Sequence, residues 1–302
     1  VSFSVVIVLH DSEPELAVLL ESLRAHLPER PQLVVVDNGS QDGGGALALV
    51  HGAEVIDLPG NPGFGAACNA GLERARHDVT VLLNPDCELL DPALAILAAA
   101  ARERPGALHV PRLLNPDGTL QRSAHPLPGA PGTLIPAVSP WLPWAVRVRA
   151  EPYFALRPRS VGWATAACLA ASTATLRRLG PFDPGVHLFA EDMELCLRAR
   201  AAGIPTILHP DLRLRHSGGH AVLRGGEPYE AIARRRREAI AATRGAGALA
   251  VDDLGQALTF AGRAVAHGVI GGNARRPWAQ LAALHRARKA VGTATPPASG
   301  GP

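Results

Sequence analysis

The sequence predicts an α/β fold, a Rossmann-like and mostly parallel sheet flanked by helices with a helical extension at the C-terminal end. Three observations carry this. Apolar runs of strand length alternate with segments of helical period through the first hundred residues. Each run closes on a polar, turn-forming cluster. The composition, 47% hydrophobic and 19% charged over 302 residues, can bury a full core.

Residues 4–9 (SVVIVL) form a continuous apolar run, the mark of a strand covered on both faces. Ser12 and Glu15 then make a capping-box pattern ahead of Leu16, Leu19, Leu20, Leu23 and Leu27 at helical spacing. Residues 33–36 are the second strand, closed by the turn-rich stretch 37–43. A third strand at 54–58, a Gly/Asn loop, a helix near 65–76 and a strand at 79–83 continue the alternation. Asp91 and Pro92 read as N-cap and first residue of the next helix.

Farther on, 107–110 is a strand, 115–118 (NPDG) a tight turn, and 125–158, with eight prolines, a long loop of the kind that serves as lid or linker. Strand character resumes at 161–172. An amphipathic helix at 190–202 ends at Gly203, and short strands at 204–209 and 212–216 follow. Beyond Gly218 come three helical segments near 227–244, 252–269 and 278–291, then a Pro/Gly/Ser-rich end expected to be disordered. The expected division is a domain over 1–220 and a basic helical extension over 221–302.

Composition removes several classes. The longest apolar stretch, 161–176, is short of the about 20 residues a spanning helix needs and carries four hydroxyl residues. No basic and then apolar leader opens the chain, so a cytoplasmic location is expected. Cys68, Cys87, Cys168 and Cys196 form no CxxC and read as buried free thiols. The net charge of +3 is uneven: residues 254–302 hold six basic and no acidic side chains, which leaves −3 on the first 253. That argues against a nucleic-acid-binding core and for a basic appendage. In that appendage Leu258, Phe260, Val265, Val269 and Trp278 among arginines read either as an interfacial membrane contact or as an ordinary helical subdomain.

Polar residues stand at the carboxyl ends of the expected strands, where such sheets bind ligands: His10 and Asp11, Asp37 and Asn38, then Asn84 and Asp86. Taken singly, Asp37 reads as an Asx-turn residue; beside Asp86 on a neighbouring strand end, it reads as a ligand-binding acceptor. The 61–71 loop offers the amides of Asn61 and Asn69, and Gly63 lets the backbone approach a ligand. Its residues 63–68 come near a dinucleotide fingerprint, although after the third strand and with cysteine at the sixth position. An NAD(P)-dependent oxidoreductase is therefore one alternative, and a non-catalytic nucleotide-sugar or glycan-binding module another.

Residues 34–43 (VVVDNGSQDG), 61–71 (NPGFGAACNAG), 83–86 (LNPD) and 191–198 (EDMELCLR) together, and in this order, resemble the inverting family 2 glycosyltransferases of GT-A fold. Residues 105–108 (PGAL), 115–119 (NPDGT), 123–125 (SAH) and 161–163 (VGW) resemble most the bacterial rhamnosyltransferases of cell-wall linker or O-antigen synthesis. The resemblance spans roughly residues 3–220. It implies transfer of a sugar, L-rhamnose or another hexose, from a dTDP- or UDP-sugar to a saccharide acceptor, polyprenyl-linked, at the inner membrane face. It makes His10, Asp11, Asp37, Asn38, Asn61, Gly63, Asn69 and Asn84 nucleotide-sugar contacts. Asp86 and His216 would hold Mg²⁺ or Mn²⁺, Asn84 standing where the family's metal motif has its first acid. Asp192 would be the catalytic base, and Glu191, Glu194 and Trp163 would meet the acceptor. The same acids read without the resemblance as helix N-terminal charges favoured by the dipole, and Trp163 as core packing.

Overall fold

The computed structural model describes residues 2–27, 29–134, 146, 151–180, 182–183, 190–218, 228–269 and 272–291. The chain forms two compact units, one of Val1–Leu127 with Glu151–Ala221 and one of Pro128–Ala150 with Val222–Pro302. Residues 128–150 thus group with the C-terminal helices, unlike in the division at 220/221 expected from the sequence.

The first unit is built on a mixed sheet in the order β3-β2-β1-β4-β10-β6-β11-β5, with β8 on β11. Strands β1 (Ser4–Leu9), β2 (Gln32–Asp37), β3 (Glu54–Asp57) and β4 (Val79–Leu83) run parallel. Every residue of β1 and β4 is buried, which is why both are apolar on either face, but for Ser4 and Thr80, rather than alternating. Helices α1 (Glu13–His26), α2 (Gly44–Val50), α3 (Phe64–Glu73) and α4 (Ala93–Glu103) connect and cover them. At Gly71 of α3 a side chain would drive into Val6 of β1, so glycine lets that helix lie close on the sheet.

Alternation alone did not reveal the next step. After β5 (Cys87–Leu89), β6 (Leu108–Leu114), β7 (Ala124–His125), β8 (Arg159–Val161) and β9 (Trp163–Ala164), strand β10 (Cys168–Ser172) enters antiparallel between β4 and β6. β7 and β9 pair as a separate two-stranded sheet. Helices α5 (Thr173–Leu179) and α6 (Glu191–Ala201) follow. β11 (Thr206–His216) then lies parallel to β6. The two short strands expected at 204–209 and 212–216 are this one strand, with a register shift between His209 and Arg213 that absorbs Pro210.

The capping box expected at α1 does not form. Ser12 Oγ instead donates to the His10 carbonyl (3.1 Å). The end of α1 is capped from another loop, Asp42 Oδ2 accepting from the Glu13 N–H (2.8 Å) while Glu13 Oε2 accepts from the Gly43 N–H (2.9 Å). This reciprocal pair ties the loops after β1 and β2 together. Helix α4 starts one residue later than expected: Pro92 is its N-cap and Ala93 its first residue, and Asp91, ahead of the cap, accepts from the Ala93 N–H (2.8 Å).

In the second unit α7 (Tyr229–Val269), broken at Gly245 (φ 79°), packs against α8 (Arg275–Val291). Near-buried Arg237 pairs with Asp253, and Arg236 pairs with Asp252 through two bonds (2.7 and 2.8 Å). Among the described residues no helix is long and apolar enough to cross a membrane. The end expected to be disordered, residues 292–302, lies outside the described residues.

Candidate active site

Strand order reverses between β1 and β4, and the polar residues expected to bind ligand stand at the carboxyl ends of these parallel strands. In the loops after β1, β2 and β3 they form one network. His10 Nδ1 lies 3.1 Å from the Asn38 carbonyl, the Asp11 N–H donates to Ser40 Oγ (3.1 Å), and Asp11 Oδ1 accepts from the Gln41 N–H (2.6 Å). Asn38 Nδ2 donates to Asn61 Oδ1 (2.7 Å), which also accepts from the Gly63 N–H (3.2 Å). Gly39 (φ 77°) sits so close to the Gly60 carbonyl that a side chain would collide with it.

Within this network Asp37 caps its loop one residue farther along than an Asx turn would, Oδ1 accepting from the Ser40 N–H (2.8 Å). Asn38 is buried, and its Oδ1 has no partner among the described residues. A buried acceptor of this kind carries a cost unless a ligand donor reaches it. Asn69 stands apart from the other expected contacts. Both ends of its amide bind the backbone of Phe182, Nδ2 to the carbonyl (2.9 Å) and Oδ1 from the N–H (3.0 Å). Its role here is that of a clamp.

After β4, the Asn84 N–H donates to the Ala167 carbonyl (2.8 Å), and the Asn84 Oδ1 is buried without a partner among the described residues. Asp86 and His216 meet although 130 residues separate them, His216 Nε2 lying 3.3 Å from Asp86 Oδ1. β11 delivers His216 to this point by pairing it with Cys87 of β5. The other oxygen, Asp86 Oδ2, accepts from the Gly218 N–H (2.9 Å). Burial alone would raise the Asp86 carboxyl, but the His216 contact and the Gly218 N–H outweigh it and hold it below the ordinary carboxylate range.

Asp86, Cys87 and His216 offer three ligand atoms within 4.8 Å of one another. Cys87 is a poor third donor. Its thiol donates to the Ala167 carbonyl (3.3 Å), and burial together with the Asp86 charge pushes its pKa far up, so it keeps its proton. What remains, an anionic oxygen and an imidazole nitrogen 3.3 Å apart, suits a small divalent ion at ordinary bond lengths of about 2.1 Å. The residues present fit Mn²⁺ or Mg²⁺.

Asp192 lies in the first turn of α6, after Ala190 at φ 69°. Ala190 and Asp11 (φ 51°) are the two non-glycine residues with positive φ among those described, and each adjoins expected site residues. The Asp192 carboxylate accepts from the Met193 N–H (2.7 Å) and from the Ala166 N–H. Burial nonetheless pushes it up to about 6. Ala166 thus touches Asp192 while its neighbour Ala167 touches Asn84 and Cys87, so one stretch of backbone links the base candidate to the metal pair.

Of the expected acceptor contacts, Glu194 is engaged in structure. It grips Arg198 through two bonds (2.8 Å each), and Arg198 donates to the Leu179 and Gly180 carbonyls. Trp163 stacks on His125 at a centroid distance of 3.9 Å and 12° between planes, and it is partly buried against the core on that side of the sheet. Glu191 opens α6 beside Asp192. Two groups went unnoticed in the sequence: the Gly218 N–H, and Gln121, whose Oε1 lies 2.8 Å from His216 Nδ1. No signal could have marked the first. For Gln121 the only hint was its place between two stretches that carry the resemblance.

Residues 4–178 match the family described as Glycosyl transferase family 2. The chain belongs to that family. It is a glycosyltransferase, and the oxidoreductase and pure binding readings are not favoured. The 63–68 glycine loop in fact follows β3 at the sheet edge, not the strand beside the order reversal where a dinucleotide site is built. Among relatives, the N-acetylglucosaminyl-diphospho-decaprenol L-rhamnosyltransferase of Mycobacterium tuberculosis is 29% identical over 250 residues, covering 76% of this chain and 80% of the relative.

Two solved structures share the fold. A mannosyltransferase from Pyrobaculum calidifontis in complex with GDP-Man and Mn²⁺ superposes with a TM-score of 0.55 at 16% identity, over 95% of this chain and 85% of that one. GalNAc-T7 with UDP, GalNAc and Mn²⁺ gives 0.57 at 20% identity over 78% of this chain, which spans only 47% of that structure. The first unit therefore has the GT-A fold.

Proposed function

We propose that the chain transfers L-rhamnose, with inversion, from a nucleoside-diphosphate sugar to a saccharide carried on a polyprenyl diphosphate. The observation that carries the reading is that Asp86 meets His216 while one stretch, residues 166–167, binds Asp192 on one side and Asn84 and Cys87, which flank Asp86 in the chain, on the other. The rhamnosyl donor and the lipid-linked acceptor are supported by the mycobacterial relative, and dTDP is the expected nucleotide.

In this reading Asp37, the Asn38–Asn61 pair and the 10–11 loop receive the nucleoside, with Asn38 Oδ1 accepting a donor from it. Asp86 and His216 hold the divalent ion, whose charge when bound offsets that of the departing diphosphate. Asp192 takes the proton of the acceptor hydroxyl as that oxygen attacks the anomeric carbon from the face opposite the diphosphate. A carboxylate raised to about 6 suits this task, since it is ionised at neutral pH yet a better base than an exposed one. Trp163 and Glu191 border the acceptor.

The first unit acts as the catalytic domain and the second as a basic appendage that meets an anionic membrane surface at the cytoplasmic face. Exposed Leu254, Leu258, Val265 and Val269 recur on one side of α7 with no charge among them, in a region whose six ionic residues are all basic. Trp278 is exposed as expected, whereas Phe260 is partly buried.

The test is transfer of radiolabelled rhamnose from dTDP-rhamnose to polyprenyl-diphosphate-GlcNAc, alongside thermal-shift titrations with dTDP, UDP and GDP with and without Mn²⁺. Metal-dependent stabilisation by dTDP and formation of a rhamnosylated lipid are expected. Stabilisation by GDP alone, or no lipid product, would overturn the donor and acceptor assignment.

A further inference from the structure

The Gln121 side chain makes three hydrogen bonds that together determine where the His216 ring carries its proton. Gln121 Nε2 lies 3.1 Å from the His216 backbone carbonyl and 3.2 Å from Asn115 Oδ1. A backbone carbonyl only accepts, so the amide's NH₂ end must face it. The Oε1 end is thereby turned to the ring, 2.8 Å from His216 Nδ1. Since Oε1 cannot donate either, Nδ1 must carry a hydrogen. In the neutral ring the lone pair is then on Nε2, which faces Asp86 Oδ1 across 3.3 Å.

Two acceptors facing each other across that distance, both nearly buried, repel unless a proton or a metal ion lies between them: the proton makes the imidazolium whose contact holds Asp86 low, and a divalent cation can take its place. Without Gln121 the ring would relieve this by moving its proton to Nε2 and donating to Asp86, which closes the pair to metal. The glutamine itself is held in place: the Asn115 amide that receives it also donates to Thr119 Oγ1 (2.9 Å), within the turn at 115–119.

We propose that Gln121 is a positioning residue of the metal site: its amide selects the Nδ1–H form of His216 and so leaves Nε2 free, on the Asp86 side, to take a divalent cation. This rests on the metal reading of Asp86 and His216 given above. Outer partners that orient a ligating imidazole typically contribute roughly 10- to 100-fold to metal affinity.

The test is ¹⁵N NMR of ring-labelled, metal-free protein about two pH units above the ordinary imidazole range of ~6.5, with His216 assigned by its loss in His216→Ala. The wild type should show hydrogen on Nδ1 and none on Nε2. Gln121→Leu should move it to Nε2. Nε2–H in the wild type, or Nδ1–H retained in Gln121→Leu, overturns the proposal. The wild-type spectrum decides even if the leucine variant does not fold.

Titration with Mn²⁺ alone provides the second arm, read as paramagnetic broadening of the same ring signals. Broadening in Gln121→Leu should need at least about 10-fold more Mn²⁺ than in the wild type. Equal broadening in both removes Gln121 from its role and leaves the metal site standing. No broadening in the wild type sinks the metal site, and the role of Gln121 with it, whatever the proton position.

Discussion

Replacing Asp192 by asparagine separates catalysis from stability, because the two should move in opposite directions. The carboxyl is raised from 3.8 to about 6, so the folded chain binds its proton more tightly than the unfolded chain does. Such a group stabilises the fold fully below the unfolded value, and that contribution is lost as pH rises through about 6. Above that point the ionised carboxylate costs the native state about 2 pK units, on the order of 3 kcal/mol as a ceiling. Asp192 keeps some exposure, and an asparagine Oδ1 still accepts from the Met193 and Ala166 N–H groups. The gain to expect from Asp192→Asn is therefore roughly 1–2 kcal/mol at pH near 8.

Urea denaturation at a series of pH values measures it. The gain should be close to zero near pH 4, climb between there and about 6, and stay flat above. Transfer by the same variant, followed by release of nucleoside diphosphate, should fall by about 10²- to 10⁴-fold with dTDP affinity nearly unchanged. In the wild type kcat/KM should rise with pH through a limb near 6. A variant that is less stable at high pH, or that turns over near the wild-type rate, would refute the reasoning.

Asp86→Asn keeps an acceptor for the Gly218 N–H but loses the anion, so the protein should fold while its Mn²⁺ requirement rises by about 10-fold or more, read by metal titration of transfer. Gly71→Ala should lower the urea midpoint by an amount equal to about 1–3 kcal/mol, since its methyl meets Val6 and Val36 in a fully packed layer. Asn69→Ala strips the Phe182 N–H and carbonyl of their partners and should cost about 1–3 kcal/mol, with a loss of transfer no larger than the loss of folded protein. Leu258→Glu with Val265→Glu should release the chain from vesicles holding about 30 mol% anionic lipid, by at least about 10-fold in a flotation assay. Unchanged flotation would remove the membrane role from α7.

Much of the first unit was legible because the central parallel strands β1, β2 and β4 are dense runs of apolar residues. β1 and β4 could be bounded to the residue, or nearly so, by hydrophobicity alone. What stayed hidden was set by partners distant in sequence. Nothing in the apolar pattern of 161–172 tells whether that strand runs parallel or antiparallel, since burial on both faces erases the alternation. The cap of α1 was misread for the same kind of reason. Ser12 and Glu15 satisfy the local pattern, but Asp42 from another loop reaches the helix end first. At the candidate site, Asp86, Asp192 and His216 were singled out through their motifs, and the fold brings Asp86 and His216 together. Asn69 carries the same motif signal and turned out to hold Phe182, because a side-chain amide serves a backbone as well as it serves a ligand.

The antiparallel insertion of β10 bears on how two carboxylates come to have different environments, as the proposed roles of Asp86 and Asp192 require. The segment entering β10 presents its Ala166 N–H to Asp192 and its Ala167 carbonyl to Asn84 and Cys87. On one side Asp86 has a histidine and an N–H of its own, and stays anionic below the ordinary range. On the other, the backbone N–H groups of Met193, Ala166 and Asp192 itself do not outweigh burial, which lifts the Asp192 carboxyl to about 6. A fixed anion is what a cation needs, and a carboxylate near 6 is what a hydroxyl proton needs. Exchanging the two environments would spoil both functions. Placing Arg or Lys beside Asp192 should therefore abolish transfer by lowering its basicity, even with every residue of the metal pair intact.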